Sequence, residues 1–147
     1  MIINTVRFGE VDVEESRIFD FKLPIIGFGE LRKFVILDTN QDSFFKWLQS
    51  TEDPSLAFPI ISVFSMNVEY SIDLPDEVVE KLGITNVESL LVMNIASIPQ
   101  DNPQGTTINL LAPLVFNLET QVAGQVILSG SGYDISFPLF KKVTKDE

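Results

Sequence analysis

The apolar residues of this chain fall in short runs, rich in β-branched and aromatic side chains and separated by turn-forming residues. IINTVRF alternates imperfectly and ends at Gly9. RIFDFKL groups Ile18, Phe19, Phe21 and Leu23 ahead of the breakers Pro24 and Gly27. KFVILD stops at the polar cluster DTNQDS, and LAFPIISVF, VEYSID, SLLVMNIASI, INLLAPLVF, GQVILS and YDISFPLF follow as further candidate strands. Connections are short and no βαβ rhythm is present. The pattern predicts an all-β, mostly antiparallel fold, a partly open barrel-like sheet, with one short α-helix near residues 75–82.

That helix is written in DLPDEVVEKLG. Pro75 suits the first helical position, Asp76 and Glu77 favour the positive end of the helix dipole, and Gly83 supplies the stop. Val78, Val79 and Leu82 make its apolar stripe, so it should cover one face or one end of the sheet. DSFFKWLQS gives a second, weaker helical pattern, with Ser43 as cap and Phe44, Trp47 and Leu48 on one face. The stretch TTINLLAPLVFN is harder to place. It reads as a buried strand, yet contains Asn109, Pro113 and Asn117, and proline cannot donate to a sheet ladder. Two accounts stand. Pro113 marks a bulge or edge while the asparagines tie turn backbones, or the proline frees a sheet edge and Asn109 and Asn117 face a partner.

Length and composition narrow the function. A chain of 147 residues with 45% hydrophobic content can build a real core as a single domain over 1–147. Without cysteine there is no disulfide framework, and no signal-peptide pattern opens the chain, so a cytoplasmic location is expected. No apolar run is long enough to span a bilayer, so no membrane partner is expected. The absence of histidine removes Ser-His-Asp and Cys-His catalysis and the usual zinc sites, leaving only oxygen ligands for a metal. The net charge of −11, from 21 acidic and 10 basic residues, repels phosphate backbones and would steer a basic protein partner.

No constellation carries enzymatic chemistry. Asp12 and Glu14 in GEVDVEES share a strand face but lack calcium-loop spacing, so they read as a solvated surface. Gly27 and Gly29 in PIIGFGEL lack the third glycine of a phosphate loop and read as a turn. Trp47, flanked by Phe44, Phe45 and Leu48, is either core or a docking anchor. The residues therefore describe a binding module rather than an enzyme, with no catalytic, metal or cofactor site expected.

Several segments, in order and covering residues 5 to about 140, resemble the FliW family of bacterial flagellar assembly factors. They are TVRFGEVDV, IFDFKLPIIGFGELRKFVIL, FKWLQSTEDPSLAF and TINLLAPLVFN followed by QVAGQVIL. Pro24, Val63, Val68 and Gln121 depart from the family pattern, while Glu69 and Tyr70 keep an acid and a tyrosine of one of its elements. The resemblance implies a non-enzymatic regulator that binds cytoplasmic flagellin and, when free, binds CsrA, a small RNA-binding repressor of flagellin translation. Acidic Asp12, Glu14, Glu15 and Glu69 are the expected docking surface for a basic partner, with Tyr70, Trp47, Asn109 and Asn117 as further contacts. Two rivals make different demands. A small-molecule-binding barrel needs an open apolar cavity, and a carboxylate-based hydrolase needs two acids facing each other in a cleft.

Overall fold

Phe19 and Phe21 alternate along one strand, Phe34 and Phe116 come from two others, and all four point into one space. A computed structural model describes residues 1–38, 45–66 and 68–140 of the chain. Its strands are β1 (Ile2–Thr5), β2 (Gly9–Asp12), β3 (Ile18–Leu23), β4 (Lys33–Leu37), β5 (Lys46–Ser50) and β6 (Ala57–Ile61). They continue as β7 (Leu90–Ser97), β8 (Thr107–Ile108), β9 (Leu114–Asn117), β10 (Val122–Gln125) and β11 (Phe137–Pro138). The order β3-β4-β5-β6-β7 is joined by β9 and β10, and because β9 pairs with β7 while β10 pairs with β3, the sheet closes on itself. All pairings are antiparallel except β3 with β10. The all-β expectation is met, and the barrel is closed rather than partly open.

The interior is filled. Phe21, Phe34 and Phe116 are fully buried and meet edge-to-face, with Phe19 and Phe116 at 4.8 Å and Phe21 and Phe34 at 5.2 Å between centroids. Leu48, Ile60, Met93, Leu114 and Ala123 complete the layer. Offset aromatic pairs of this kind add about 0.5–1.5 kcal/mol each beyond area burial. Small barrels pack their lumen with side chains, and the residues just named do so here.

Two smaller clusters lie on the outer side of the barrel wall at the hairpin and at the helix. The β1–β2 hairpin lays Ile3, Val11 and Val13 over Val35 and Leu37 of β4. Helix α1 (Asp76–Lys81) packs Val78 and Leu82 on Val115 and Val126. It starts one residue later than the sequence predicts, with Pro75 at the flanking position in an extended conformation. It ends as expected at Gly83, whose φ is +61°. There the amides of Gly83 and Ile84 turn back to the carbonyls of Glu80 and Val79, at 3.1 and 2.9 Å.

Four segments depart from the sequence reading. The helical pattern across DSFFKWLQS is not used: residues 39–44 lie outside the described residues, and Lys46–Ser50 is strand β5. Both sides of that strand are covered, Leu48 by the barrel core and Trp47 by the hairpin, so tertiary burial overrides local periodicity. VEYSID forms no strand. GQVILS leaves the ladder after Gln125, and of YDISFPLF only Phe137–Pro138 pairs, with β8.

TTINLLAPLVFN resolves as a wide bulge. Both β8 and β9 run antiparallel to β7, with Ala96 opposite Ile108 and Met93 opposite Leu114. Residues 109–113 therefore face only Asn94 and Ile95. The extra backbone is satisfied almost atom by atom. Asn109 Oδ1 accepts from the Ala112 amide at 3.0 Å, and Asn94 Nδ2 donates to the Asn109 carbonyl at 2.9 Å. Tyr70 Oη donates to the Leu110 carbonyl at 2.6 Å, and Gln125 Nε2 to the Ala112 carbonyl at 3.2 Å. The Leu111 and Pro113 carbonyls accept from the amides of Leu128 and Val126, at 2.8 and 3.0 Å. Pro113, which has no amide hydrogen to satisfy, is buried at the end of the bulge.

Gly124 is set by close approach, because a Cβ there would lie 2.7 Å from Leu23 Cβ, where β10 and β3 shift register. Gly124→Ala should cost about 1–3 kcal/mol by urea unfolding, since either strand must move to relieve the overlap. An unchanged midpoint would show that the parallel pairing is looser than described.

Candidate functional site

The eight residues expected to meet a partner separate into three places. Asp12, Glu14 and Glu15 sit together where β2 ends and a 3₁₀ turn begins at Glu15–Arg17, and all three are exposed. Asp12 Oδ1 lies 3.2 Å from the Met1 ammonium. Beside them is a shallow recess of about 260 Å³ that also involves Arg17 and Asp38. Trp47 belongs to the same hairpin region but near its turn. It is half-buried, with the Arg7 guanidinium 4.0 Å above its ring and Phe8 edge-on at 6.0 Å. Arg7 thus shields the indole with a cation–π contact.

Tyr70 and Asn109 meet at the bulge, and Glu69 stands exposed next to Tyr70. Tyr70 is a structural linchpin as much as a surface residue. Its ring packs against Tyr133 at 4.8 Å and Phe64 at 5.5 Å, and its hydroxyl donates to Leu110 and accepts from Asn94 Nδ2 at 3.1 Å. Burial pushes its pKa up to about 12, against the opposing effect of the Asn94 hydrogen bond. Asn117 is a correction. It is 2% exposed, donates from Nδ2 to the Leu82 and Gly83 carbonyls at 2.8 and 3.2 Å, and accepts at Oδ1 from the Glu119 amide. Its amide joins the end of α1 to the β9–β10 turn and is not available to a partner.

Among the described residues, two carboxylates have shifted pKa values, and each has a local cause. Asp20 is held below the ordinary carboxylate range chiefly by the hydrogen bond from Lys22, with Lys33 adding to it. Asp53 is lowered by hydrogen bonds from the Ser55 hydroxyl and amide. Both shifts stabilise the charged form and come from local partners, whereas a hydrolytic dyad would set two acids against each other. Among the described residues, no group of three or more acidic side chains is placed to hold a metal ion. No helix of the described residues is long and apolar enough to cross a membrane.

Sequence reasoning missed an open apolar groove of about 570 Å³ between α1 and the barrel wall. Leu90 and Val92 of β7 form its floor with Val115 of β9, and Ile72, Leu74 and Val79 form its helix-side wall. These floor residues are the outward half of strands whose inward half, Leu91, Met93, Leu114 and Phe116, fills the barrel. Apolar residues on both faces of β7 were visible in SLLVMNIASI, but not what would leave the outer face uncovered. Gln49 was also missed. It is fully buried, and Nε2 donates to the Ser50 and Leu56 carbonyls at 3.0 and 3.1 Å, holding the turn that follows β5.

The fold is thus that of a closed, side-chain-filled β-barrel carrying a hairpin and a short helix on its outer wall. Residues 2–139 match the family model described as FliW protein. The chain is 40% identical over 146 residues to the flagellar assembly factor FliW of Caldicellulosiruptor bescii, covering 99% of this chain and 95% of the relative. It is 38% identical to that of Bdellovibrio bacteriovorus, covering 97% of this chain and 81% of the relative. A crystal structure of the flagellar assembly factor FliW superposes with a TM-score of 0.89 at 34% identity, covering 98% of this chain and all of that one. The chain belongs to the FliW family.

The Tyr70 hydroxyl gives a test with a definite sign. Its folded pKa lies above the unfolded value of 10.0, so native stability falls as pH rises from about 10 to about 12, where the unfolded state loses the proton first. Tyr70→Phe should cost about 1–2 kcal/mol at neutral pH, because the buried Leu110 carbonyl and Asn94 lose a partner. The gap between variant and wild type should narrow between pH 10 and 12 in chemical denaturation. A gap independent of pH would remove the phenol from the network.

Proposed function

We propose that this chain, acting as one FliW-like domain over residues 1–147, is a non-enzymatic cytoplasmic flagellar assembly factor. It binds flagellin and, when free of flagellin, binds CsrA and so relieves repression of flagellin translation. The observation that supports this most is the agreement of family model, relatives and fold along nearly the whole chain. The physical character of the molecule fits. Its net charge of −11 suits a partner that must be basic to hold mRNA, and its filled lumen counts against a small-molecule carrier. Exchange between two protein partners is then mass-action linkage through one regulator.

The purified protein should form a complex with the flagellin of its own organism and another with CsrA, by gel filtration and calorimetry. Absence of both complexes would refute the proposal. The exposed acids Asp12, Glu14 and Glu15 are proposed as the CsrA-facing surface, with Glu69 as a separate contributor. Reversing the first three to lysine together should weaken CsrA binding about tenfold and flatten its salt dependence, since exposed ion pairs contribute about 0.2–1 kcal/mol each. Asn117→Ala should act on stability alone. Undiminished CsrA affinity in the triple variant moves the interface to another face.

A further inference from the structure

The groove between α1 and the barrel wall has a composition that specifies what fills it. Of its ten lining residues only Thr85 is polar, and two of the large apolar residues there are strongly exposed, Val87 at 78% and Phe64 at 53%. Contiguous apolar surface of this kind on a soluble protein marks an interaction site. The chain segment that supplies all of this lining except Val115 carries charge of nearly one sign. Residues 64–92 contain six acidic residues, Glu69, Asp73, Asp76, Glu77, Glu80 and Glu88, against the single base Lys81. All six acids are exposed, and among the described residues none of them forms an ion pair.

We propose that this groove receives an amphipathic helix of a partner protein, apolar along one stripe and basic along its edges. This rests on the reading of the chain as a protein-binding factor and names the chemistry of one contact.

Other occupants fit less well. A strand has no ladder to join, because β7 is already paired on both sides, by β6 and by β8 and β9. A small ligand needs converging polar groups to orient it, and the lining supplies one hydroxyl. A second copy of this chain would set the same acidic segment against itself, in a chain of net charge −11, which like-charge repulsion opposes. The last seven residues of the chain, KKVTKDE, carry one apolar side chain, too few to fill the space. An amphipathic helix presents anchors at i, i+3, i+4 and i+7 on one face with its charges beside them, which matches an apolar floor built by an acidic segment.

The probe is a synthetic amphipathic peptide of about five turns, with leucines at those spacings and lysines flanking them, titrated into the full ¹⁵N-labelled chain. Amide shifts should concentrate at Val79, Val87, Leu90 and Val92. The same peptide with glutamates in place of the lysines should bind about tenfold more weakly or worse. Val87→Glu, on an exposed 3₁₀ turn where it should not disturb folding, should reduce affinity for the lysine peptide by about tenfold or more. Shifts centred elsewhere, or equal binding of both peptides, would overturn the proposal. So would a concentration-dependent dimer in sedimentation that Val87→Glu abolishes, since the occupant would then be a second copy.

Flagellin and CsrA titrated in parallel separate the two levels. If wild type binds neither protein, the assembly-factor reading fails, whatever the peptide does. If it binds either of them and Val87→Glu binds the same protein undiminished while the peptide maps away from the groove, only the groove proposal fails.

Discussion

The closure of the barrel depends on five residues of backbone that have no strand to pair with. Strand β7 is shared, its first half with β9 and its second half with β8, and the chain between those two partners carries more residues than the ladder can seat. Buried peptide groups cannot be left without partners, so the surplus at 109–113 survives because the amides of Val126 and Leu128 and four side chains, three of them from other places, reach it. Asn94 comes from β7, Gln125 from the end of β10, Tyr70 from the segment before α1, and Asn109 from the bulge itself. Gln125 also accepts the Ile26 amide at 2.8 Å, so the turn after β3 is tied into the same knot. The bulge lets one continuous run of sequence pair twice along β7 and still bend enough to close the cylinder.

Much of what makes the family legible serves this internal purpose. In WLQS, Gln49 and Ser50 hold the turn after β5. Ser50 Oγ accepts the amides of Glu52 and Asp53, while Glu52 Oε1 accepts those of Arg32 and Lys33 at the start of β4. In TINLLAPLVFN, Asn109, Pro113 and Asn117 serve the bulge and the helix end. A buried polar group fixes its neighbours strongly, because losing it strands a partner in a low-dielectric interior. Motif residues of this kind identify the fold and do not by that fact mark the surface a partner touches.

The surfaces open to partners lie on the barrel's exterior and arise from asymmetric cover. The hairpin seals the outer face of β4, and α1 seals only part of the outer face of β7, β9 and β10. What α1 leaves open is apolar, and the segment 64–92 that builds most of it is rich in exposed acids. The hairpin region presents Asp12, Glu14 and Glu15 by contrast as a charged surface with Trp47 tucked beneath Arg7. One barrel thus carries two surfaces of different chemistry, one charged and the other apolar.

The sequence by itself determined the β character of the chain, the short helix ending at Gly83, the acidic field, the absence of histidine and cysteine chemistry, and the family. These are local or summed properties, set by side-chain type, spacing and count. It also posed the two readings of TTINLLAPLVFN, and tertiary contacts chose the structural one: Asn117 turned inward because the carbonyls ending α1 needed its amide, and Pro113 was tolerated because a bulge asks for no donor there. Only the tertiary structure made Lys46–Ser50 a strand, since both its faces found cover, and left 68–73 out of the sheet, where Tyr70 serves the bulge instead. The groove was equally invisible in sequence. Leu90 and Val92 look the same along the chain as Leu91 and Met93, and which pair is covered is decided by how far a six-residue helix reaches across the wall.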